Sequence, residues 1–261
     1  MKYSLKKCTV AALLIAISAA MAVANEESAP VGKPGAHAAL TLLREGNARF
    51  AEGQTLHGHQ DAARIKLASQ EDQGKYAYAT VLSCSDSRVP VELLFDTGIM
   101  EVFVVRVAGN VCDTDEIGSI EYGLGHVKTP LLVVLGHTQC GAVKAVLGAA
   151  HGDVHELEAN IPPLIENINA PVKRAMAEHP KAEGAEMVGH AVRENVWQSI
   201  DDLFTHSAAV RELVKQGKVR VVGAIYALET GTVEWLPEEK VAELLAAADA
   251  KAPATAPPAK H

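Results

Sequence analysis

Short apolar runs alternate with longer amphipathic stretches along most of the chain. Residues 78–83 (Tyr-Ala-Thr-Val-Leu-Ser) and 131–136 (Leu-Leu-Val-Val-Leu-Gly) are largely apolar, the second rich in leucine and valine, and both are typical of buried parallel strands. Further runs predict strands at residues 102–106, 219–226 and 232–236. Because helical spacing separates most of these runs, the pattern predicts an α/β fold. Its mainly parallel central sheet would have four strands plus a short fifth, flanked by helices.

The helices are expected in the longer stretches between the strands. One should cover residues 115–127, and a long, proline-interrupted helical stretch runs from about 160 to 215. Pro237 and the two glutamates after it are typical of a helix start, so they open the last helix. The first helix is expected over residues 35–50, where four side chains share one face: Leu40, Leu43, Asn47 and Phe50.

Polar residues follow directly after two of the predicted strands. Cys84 comes after the first apolar run, and His137 comes after the run at 131–136. Ligand-binding groups gather beyond the carboxyl ends of parallel strands, so both side chains are expected at the same edge of the sheet. Cys140 lies close behind His137 and begins a helical segment, a position that favours a thiolate. Two thiolates and one imidazole suit zinc better than magnesium, calcium or manganese.

Three protein ligands would leave a fourth zinc position open, as in catalytic rather than structural sites. A water held there can have its pKa lowered from 15.7 to roughly 7. Asp86 is near Cys84 in the chain and can reach either the metal or Arg88. Binding of Asp86 to zinc would close the site, whereas a charge-assisted pair with Arg88 would leave the position free for water.

The two motifs resemble those of the β-class carbonic anhydrases, zinc enzymes that interconvert carbon dioxide and bicarbonate. The resemblance rests on Cys-x-Asp-x-Arg at residues 84–88 and on His-x-x-Cys-Gly at residues 137–141. It extends in the same order over about residues 38–236. Other matching segments lie at 103–110, 118–123, 194–196 and 223–226.

The resemblance implies reversible, zinc-dependent hydration of carbon dioxide to bicarbonate and a proton by a zinc-bound hydroxide. Cys84, His137 and Cys140 would hold one Zn²⁺ per subunit. Asp86, held by Arg88, would orient the hydroxide and would become a fourth ligand only in a closed state.

The resemblance also implies substrate contacts and an assembly. Apart from the resemblance, backbone amides near Gly141, at a predicted helix start, could stabilise negative charge on the substrate oxygens. The chain would form a homodimer or a dimer of dimers, with the helix at 35–50 as an N-terminal helical arm across a partner subunit, although an ordinary core-facing helix fits its pattern equally well. A groove lined by the neighbouring subunit would receive carbon dioxide, and the matching positions are Phe103, Ala108 and Tyr122.

Two positions depart from the resemblance. Lys75 stands where many relatives have a glutamine that contacts the substrate. Val81 stands where some bacterial relatives with a regulatory bicarbonate site have a tryptophan. We therefore predict no such regulation, and an open site with Asp86 off the metal near neutral pH.

The two ends of the chain differ in composition from its centre. Residues 1–24 combine a lysine-rich start, an apolar stretch and Ala22-Val-Ala24, which together predict a secretory signal peptide cleaved near Ala24/Asn25. The apolar stretch is too short for a membrane span, so no membrane anchor is expected, and the protein should be periplasmic or secreted. We predict a single domain over residues 25–248 and a disordered tail of Ala, Pro and Lys over residues 249–261.

Charge and cysteine content narrow the function. The net charge of −8 argues against nucleic acid as a partner. If Cys84 and Cys140 bind metal, Cys112 is left single in the exported chain.

Three alternatives belong to other functional classes. A hydrolase of the same fold could act on carbon disulfide or carbonyl sulfide, which are also small linear molecules. A non-catalytic zinc-binding protein of the envelope would have less use for Asp86 and Arg88. The third alternative is cysteine-based phosphatase or redox chemistry. A cysteine phosphatase needs an arginine at the position of Pro90, and the redox motif Cys-x-x-Cys does not occur.

Overall fold

A five-stranded sheet forms the centre of the molecule in the computed structural model, which describes residues 32–153 and 156–251. The sheet order is β2-β1-β3-β4-β5; the first four strands are parallel and β5 runs antiparallel to β4. The predicted sheet of four parallel strands and a short fifth is confirmed. The strands are β1 (Ala79–Cys84), β2 (Val102–Val107), β3 (Leu131–His137), β4 (Arg220–Tyr226) and β5 (Val233–Trp235).

Helices connect the strands and cover the sheet. Short 3₁₀ helices occur at Gln73–Lys75, Ala108–Asn110 and Glu166–Ile168. The α-helices are α1 (Ala36–Ala51), α2 (Ala62–Ala68), α3 (Val91–Leu94), α4 (Thr114–Gly125), α5 (Gly141–Ala150), α6 (Ile161–Ile165), α7 (Asn169–Glu178), α8 (Gly184–His206), α9 (Ala208–Lys215) and α10 (Glu238–Lys251).

Apolar side chains pack on both faces of the sheet. On one face, Leu132 and Val134 of β3 belong to a core with α4, α5, α8 and α10. On the other face, Leu131 and Val133 pack in a second core with α1 and α3. Every residue of β3 is buried, which explains why its sequence is a continuous apolar run without alternation.

Helix α1 packs against the core of its own chain. Leu40 and Leu43 are buried, and Gly46 lies so close to α3 that a Cβ atom there would stand 1.9 Å from the carbonyl oxygen of Phe95. Asn47 donates to the carbonyl oxygens of Leu94 and Gly231 at 3.1 and 2.9 Å. The core-facing interpretation of this helix therefore holds within the chain, and its contact with a partner subunit stays a prediction.

The proline-interrupted stretch forms separate helices. Pro180 lies between α7 and α8, but the other three prolines lie in first turns of helices, where a missing N–H group breaks no hydrogen bond. Those three are Pro162, Pro163 and Pro171.

The predicted start of the C-terminal tail was wrong by three residues. Residues 249–251 belong to α10, because Asp249 forms ion pairs with Arg211 at 3.2 Å and with Lys215 at 3.3 Å. The rest of that tail and the predicted signal peptide lie outside the described residues. Within residues 32–153 and 156–251, no helix combines the length and apolar character that crossing a membrane requires.

Candidate metal centre

The structure brings the three predicted ligands together at the carboxyl edge of the sheet. Strands β1 and β3 are parallel neighbours, so Cys84 and His137 at their ends lie side by side. Cys140 follows on the loop into α5. The ligating atoms of the three side chains lie within 4.8 Å of one another, and all three residues are buried. One divalent cation could therefore contact all of them.

His137 has the orientation that a metal ligand needs. Its Nδ1 lies 2.9 Å from the carbonyl oxygen of Thr138. A carbonyl oxygen only accepts, so Nδ1 carries the proton and Nε2 is left with a lone pair. The His137 side chain is 0% exposed, so Nε2 cannot bond to bulk water, and it has no hydrogen-bond partner among the described residues. Because a buried polar atom without a partner is unfavourable, a cation in the cluster is the fitting partner.

Cys84 lies in surroundings that favour a thiolate. The backbone N–H groups of Asp86 and Gly109 donate to its Sγ at 3.4 and 3.3 Å. The hydrogen bond from the Cys140 thiol lowers the pKa of Cys84 to about 4, although burial opposes this shift. The same bond and burial raise the pKa of Cys140. A divalent cation between the two sulfurs would displace their protons and be held by two thiolates.

Gly109 allows the close approach to the Cys84 sulfur. Its φ of 73° lies in the left-handed region. A Cβ atom at this position would stand 2.7 Å from Cδ1 of Ile168 and 3.1 Å from Cβ of Ala142. A side chain here would therefore displace the N–H group that stabilises the thiolate.

Gln139 turns the chain between two ligands. Its φ of 58° is unusual for a residue other than glycine and costs on the order of 1–3 kcal/mol. The turn places Cys140 at the N-cap of α5, where the backbone N–H groups of Ala142 and Val143 point to its sulfur and partly offset the rise in its pKa. The structure therefore holds a strained loop at the site.

Asp86 is paired with Arg88 beside the cluster. Its Oδ1 accepts from the backbone N and from Nε of Arg88, each at 2.9 Å, and its Oδ2 accepts from Nη2 at 2.6 Å. This bidentate pair holds the pKa of Asp86 well below its usual range. Oδ2 stands 3.9 Å from Nε2 of His137, so the carboxylate lies next to the cluster but faces the guanidinium. An open site, with Asp86 off the metal, stays a prediction.

Arg106 also supports the site, and the sequence analysis gave it no role. From the end of β2, its Nε donates to the carbonyl oxygen of Cys84 at 3.0 Å, and its Nη2 donates to that of Asp86 at 2.6 Å. Its position in the sequence could have indicated this role, because β2 is expected to end at the same edge of the sheet as β1, which ends at Cys84.

The predicted substrate-lining residues fall into two groups. Gly141 begins α5, and Ala108 precedes Gly109, so both lie near the ligands. Phe103 instead pairs with Thr80, four residues before the end of β1, which is about 13 Å along the strand from Cys84. Its ring lies 6.0 Å from that of Tyr122, which is 51% exposed. These two aromatic residues stand apart from the ligands of their own chain, and their contact with substrate stays a prediction.

The two departing positions do not enter the site. Lys75 is exposed and forms an ion pair with Glu71. Val81 is buried within β1 and packs in the core that includes α1.

Fold and cluster together define a class: an α/β protein with a soft, three-residue metal site at the edge of a parallel sheet and a carboxylate–arginine pair beside it. The family model for carbonic anhydrase matches residues 79–233. The carbonic anhydrase of Mycolicibacterium smegmatis is 38% identical over 198 residues, which cover 76% of this chain and 91% of that protein. The chain belongs to the carbonic anhydrase family.

Solved structures identify the class within the family. A β-carbonic anhydrase of Coccomyxa has a TM-score of 0.58 at 26% identity and covers 76% of this chain and 86% of its own. A β-carbonic anhydrase of Aspergillus fumigatus has the same fold, with a TM-score of 0.60 at 23% identity over 81% of this chain and 97% of its own. The fold is therefore that of the β class.

Proposed function

We propose that this chain catalyses the reversible hydration of carbon dioxide to bicarbonate and a proton, with one Zn²⁺ held by Cys84, His137 and Cys140. The observation that carries the proposal is the buried, unpartnered Nε2 of His137, within 4.8 Å of two cysteine sulfurs in a member of this family. The donor set is soft and leaves one position free, which favours catalytic zinc. Zinc supplies the Lewis acidity that makes water a nucleophile near neutral pH.

The remaining residues orient the reactants. Asp86 stays ionised because Arg88 lowers its pKa, so Oδ2 remains an acceptor for a hydrogen of the attacking water. Arg106 holds the backbone of Asp86 in place. The N–H groups at the start of α5, near Gly141, are the donors that we assign to substrate oxygens as these gain negative charge.

The direct test is a stopped-flow assay of carbon dioxide hydration with zinc-loaded protein and the Cys140→Ser variant. We expect the variant to lose zinc and to lose at least about 10²-fold in kcat/KM, because the soft ligand set is broken. Equal rates would overturn the assignment. Faster turnover of carbon disulfide or carbonyl sulfide would assign a hydrolase, and full zinc occupancy without turnover would assign a non-catalytic protein.

We further propose a homodimer or a dimer of dimers. Phe103 and Tyr122 stand apart from the ligands of their own chain, so the substrate contact that the resemblance gives them requires a second subunit. Light scattering coupled to gel filtration tests it, and a fully active monomer at micromolar concentration would contradict it. Apolar side chains that an interface could cover are exposed at Leu42, Leu56, Ile65 and Leu93.

Export with cleavage near Ala24/Asn25 is also a proposal, supported by the composition of residues 1–24. N-terminal sequencing of protein recovered from the envelope fraction should begin at Asn25. A mature protein that keeps Met1 would refute it.

A further inference from the structure

Thr138, the residue after His137, is fixed by three hydrogen bonds. Its backbone N donates to the carbonyl oxygen of Tyr226 at 2.9 Å. Its Oγ1 accepts from the backbone N of Leu228 at 3.0 Å and donates to Oε2 of Glu229 at 2.9 Å. The hydroxyl thus uses both its donor and an acceptor position on one short segment at the end of β4.

That segment, residues 227–232, is itself anchored to the core. The amide of Asn47 in α1 donates to the carbonyl oxygen of Gly231 at 2.9 Å and accepts from the backbone N of Val233 at 2.8 Å. Asn47 is buried, and both bonds are partly buried. The segment therefore offers Thr138 a rigid support.

The support matters because Thr138 orients a candidate ligand. Its carbonyl oxygen accepts the Nδ1–H of His137, and this bond sets the tautomer and the direction in which Nε2 points. On the other side of Thr138, Gln139 has a strained left-handed backbone that would relax unless its neighbours held it. Arg88 Nη2 donates to the Gln139 carbonyl oxygen at 3.3 Å, so the loop between the two ligands is held from both sides.

We propose that Thr138 is a positioning residue for the metal site and that Leu228 and Glu229 act through its hydroxyl to keep His137 aligned. The inference rests on the proposed function only in requiring that the cluster binds a divalent cation. Its consequence is that loss of the Thr138 hydroxyl weakens metal binding although no ligand is changed.

The experiment measures zinc affinity by competition with a chelator, together with the visible spectrum of the Co²⁺-substituted protein. Thr138→Val keeps the branched shape and removes both hydroxyl bonds. We expect its zinc affinity to fall about tenfold, at the lower end of the range for partners of metal ligands, with shifted cobalt bands. Thr138→Ser restores the hydroxyl and should behave like the wild type, whereas Glu229→Ala should fall between them.

Thr230→Val is the matched control. Thr230 lies in the same segment, and its hydroxyl bonds Thr232 at 2.6 Å, but it makes no hydrogen bond to Thr138. The same chemical change there should leave zinc affinity and cobalt bands unaltered. An equal loss in this control would show general loosening of the segment and overturn the proposal.

The other outcomes are equally decisive. Wild-type affinity and an unchanged cobalt spectrum in Thr138→Val would overturn the proposal. Should that variant not fold, Glu229→Ala is compared with Thr230→Val, and unchanged affinity overturns it as well. If the wild-type chain binds zinc tightly but does not hydrate carbon dioxide, only the proposed function is refuted. If it takes up no divalent cation, both the proposed function and the role of Thr138 are refuted.

Discussion

At the scale of single residues, the candidate centre depends on groups that are not themselves ligands. Gly109 donates to a sulfur, Arg106 holds the backbone of Cys84 and Asp86, and Arg88 keeps the Asp86 carboxylate ionised and in place. Gly109 makes its contact through a backbone N–H group, and the two arginines make theirs through planar guanidinium groups. A lysine in place of either arginine would therefore lose the hydrogen-bond geometry although it keeps the charge.

Arg88→Lys should lower kcat/KM for carbon dioxide hydration, expressed per bound zinc, by about 10²-fold. Lysine keeps the charge but cannot make the bidentate contact, so Asp86 is no longer held in its orientation. Stopped-flow kinetics with parallel metal analysis measure this.

Arg193→Lys is the control for that experiment. Arg193 also contacts a carboxylate with two bonds of 2.8 Å, to Glu234 at the surface, and its substitution should leave the rate unchanged. Wild-type kcat/KM in Arg88→Lys would contradict the role assigned to Asp86.

Asp96 gives a prediction for stability against pH. Its side chain is 1% exposed; burial alone would raise its pKa, but bonds from the Leu56 and His57 N–H groups and from Arg49 lower it overall. Since the folded pKa lies below the unfolded value of about 3.9, the ionised group stabilises the fold above that pH. This contribution is lost as the pH falls through the folded pKa.

Asp96→Asn should therefore lower the free energy of unfolding by about 2 kcal/mol at pH 7. Asparagine tolerates the left-handed backbone of this position, so strain is not added. Urea unfolding should show a constant difference between pH 7 and pH 5 that shrinks below about pH 4. A difference that is unchanged at pH 3 would argue against the assignment.

At the scale of elements, α1 packs closely on α3 on one face of the sheet. Gly46→Ala should destabilise the protein by about 3 kcal/mol, because the new Cβ overlaps the backbone of Phe95 and forces α1 away from α3. Denaturant unfolding measures the change.

Gly189→Ala in α8 is the matched substitution. Beyond the neighbouring backbone of α8 itself, no atom lies within 4 Å of a Cβ placed there, and alanine is the better helix former. The free energy of unfolding should therefore rise by up to about 1 kcal/mol. Equal effects of the two changes would show that α1 does not pack as described.

The elements differ in how far the sequence predicts them. Strand β3 was predictable because all of it is buried, and Cys84 and His137 were predictable because they end neighbouring strands. The contact between Asn47 and Val233 joins residues 186 apart in the chain, so no local pattern encodes it. The end of α10 was missed because its alanine-rich sequence resembles a tail, whereas Asp249 is held by ion pairs.

At the scale of the whole molecule, metal and fold should be thermodynamically coupled. A ligand present at about 1,000 times its dissociation constant stabilises the folded state by about 4.1 kcal/mol. For a domain of this size, that raises Tm by roughly 8–16 °C. Calorimetry of the zinc-loaded and chelator-treated protein should show this difference, and Cys140→Ser should show almost none. The same Tm with and without zinc in the wild type would contradict a folded-state site.

Cys84 and His137 are neighbours in the sheet, but β2 and α4 lie between them in the chain. An extended polypeptide therefore presents at most the local pair His137 and Cys140, and the full three-residue site has to wait until the β1–β3 pairing is complete. The visible absorption of bound Co²⁺ would then report when β1 and β3 pair during refolding. If the chain is exported, as proposed, and crosses the membrane unfolded, the metal ions available outside the cytosol would decide which metal the site binds.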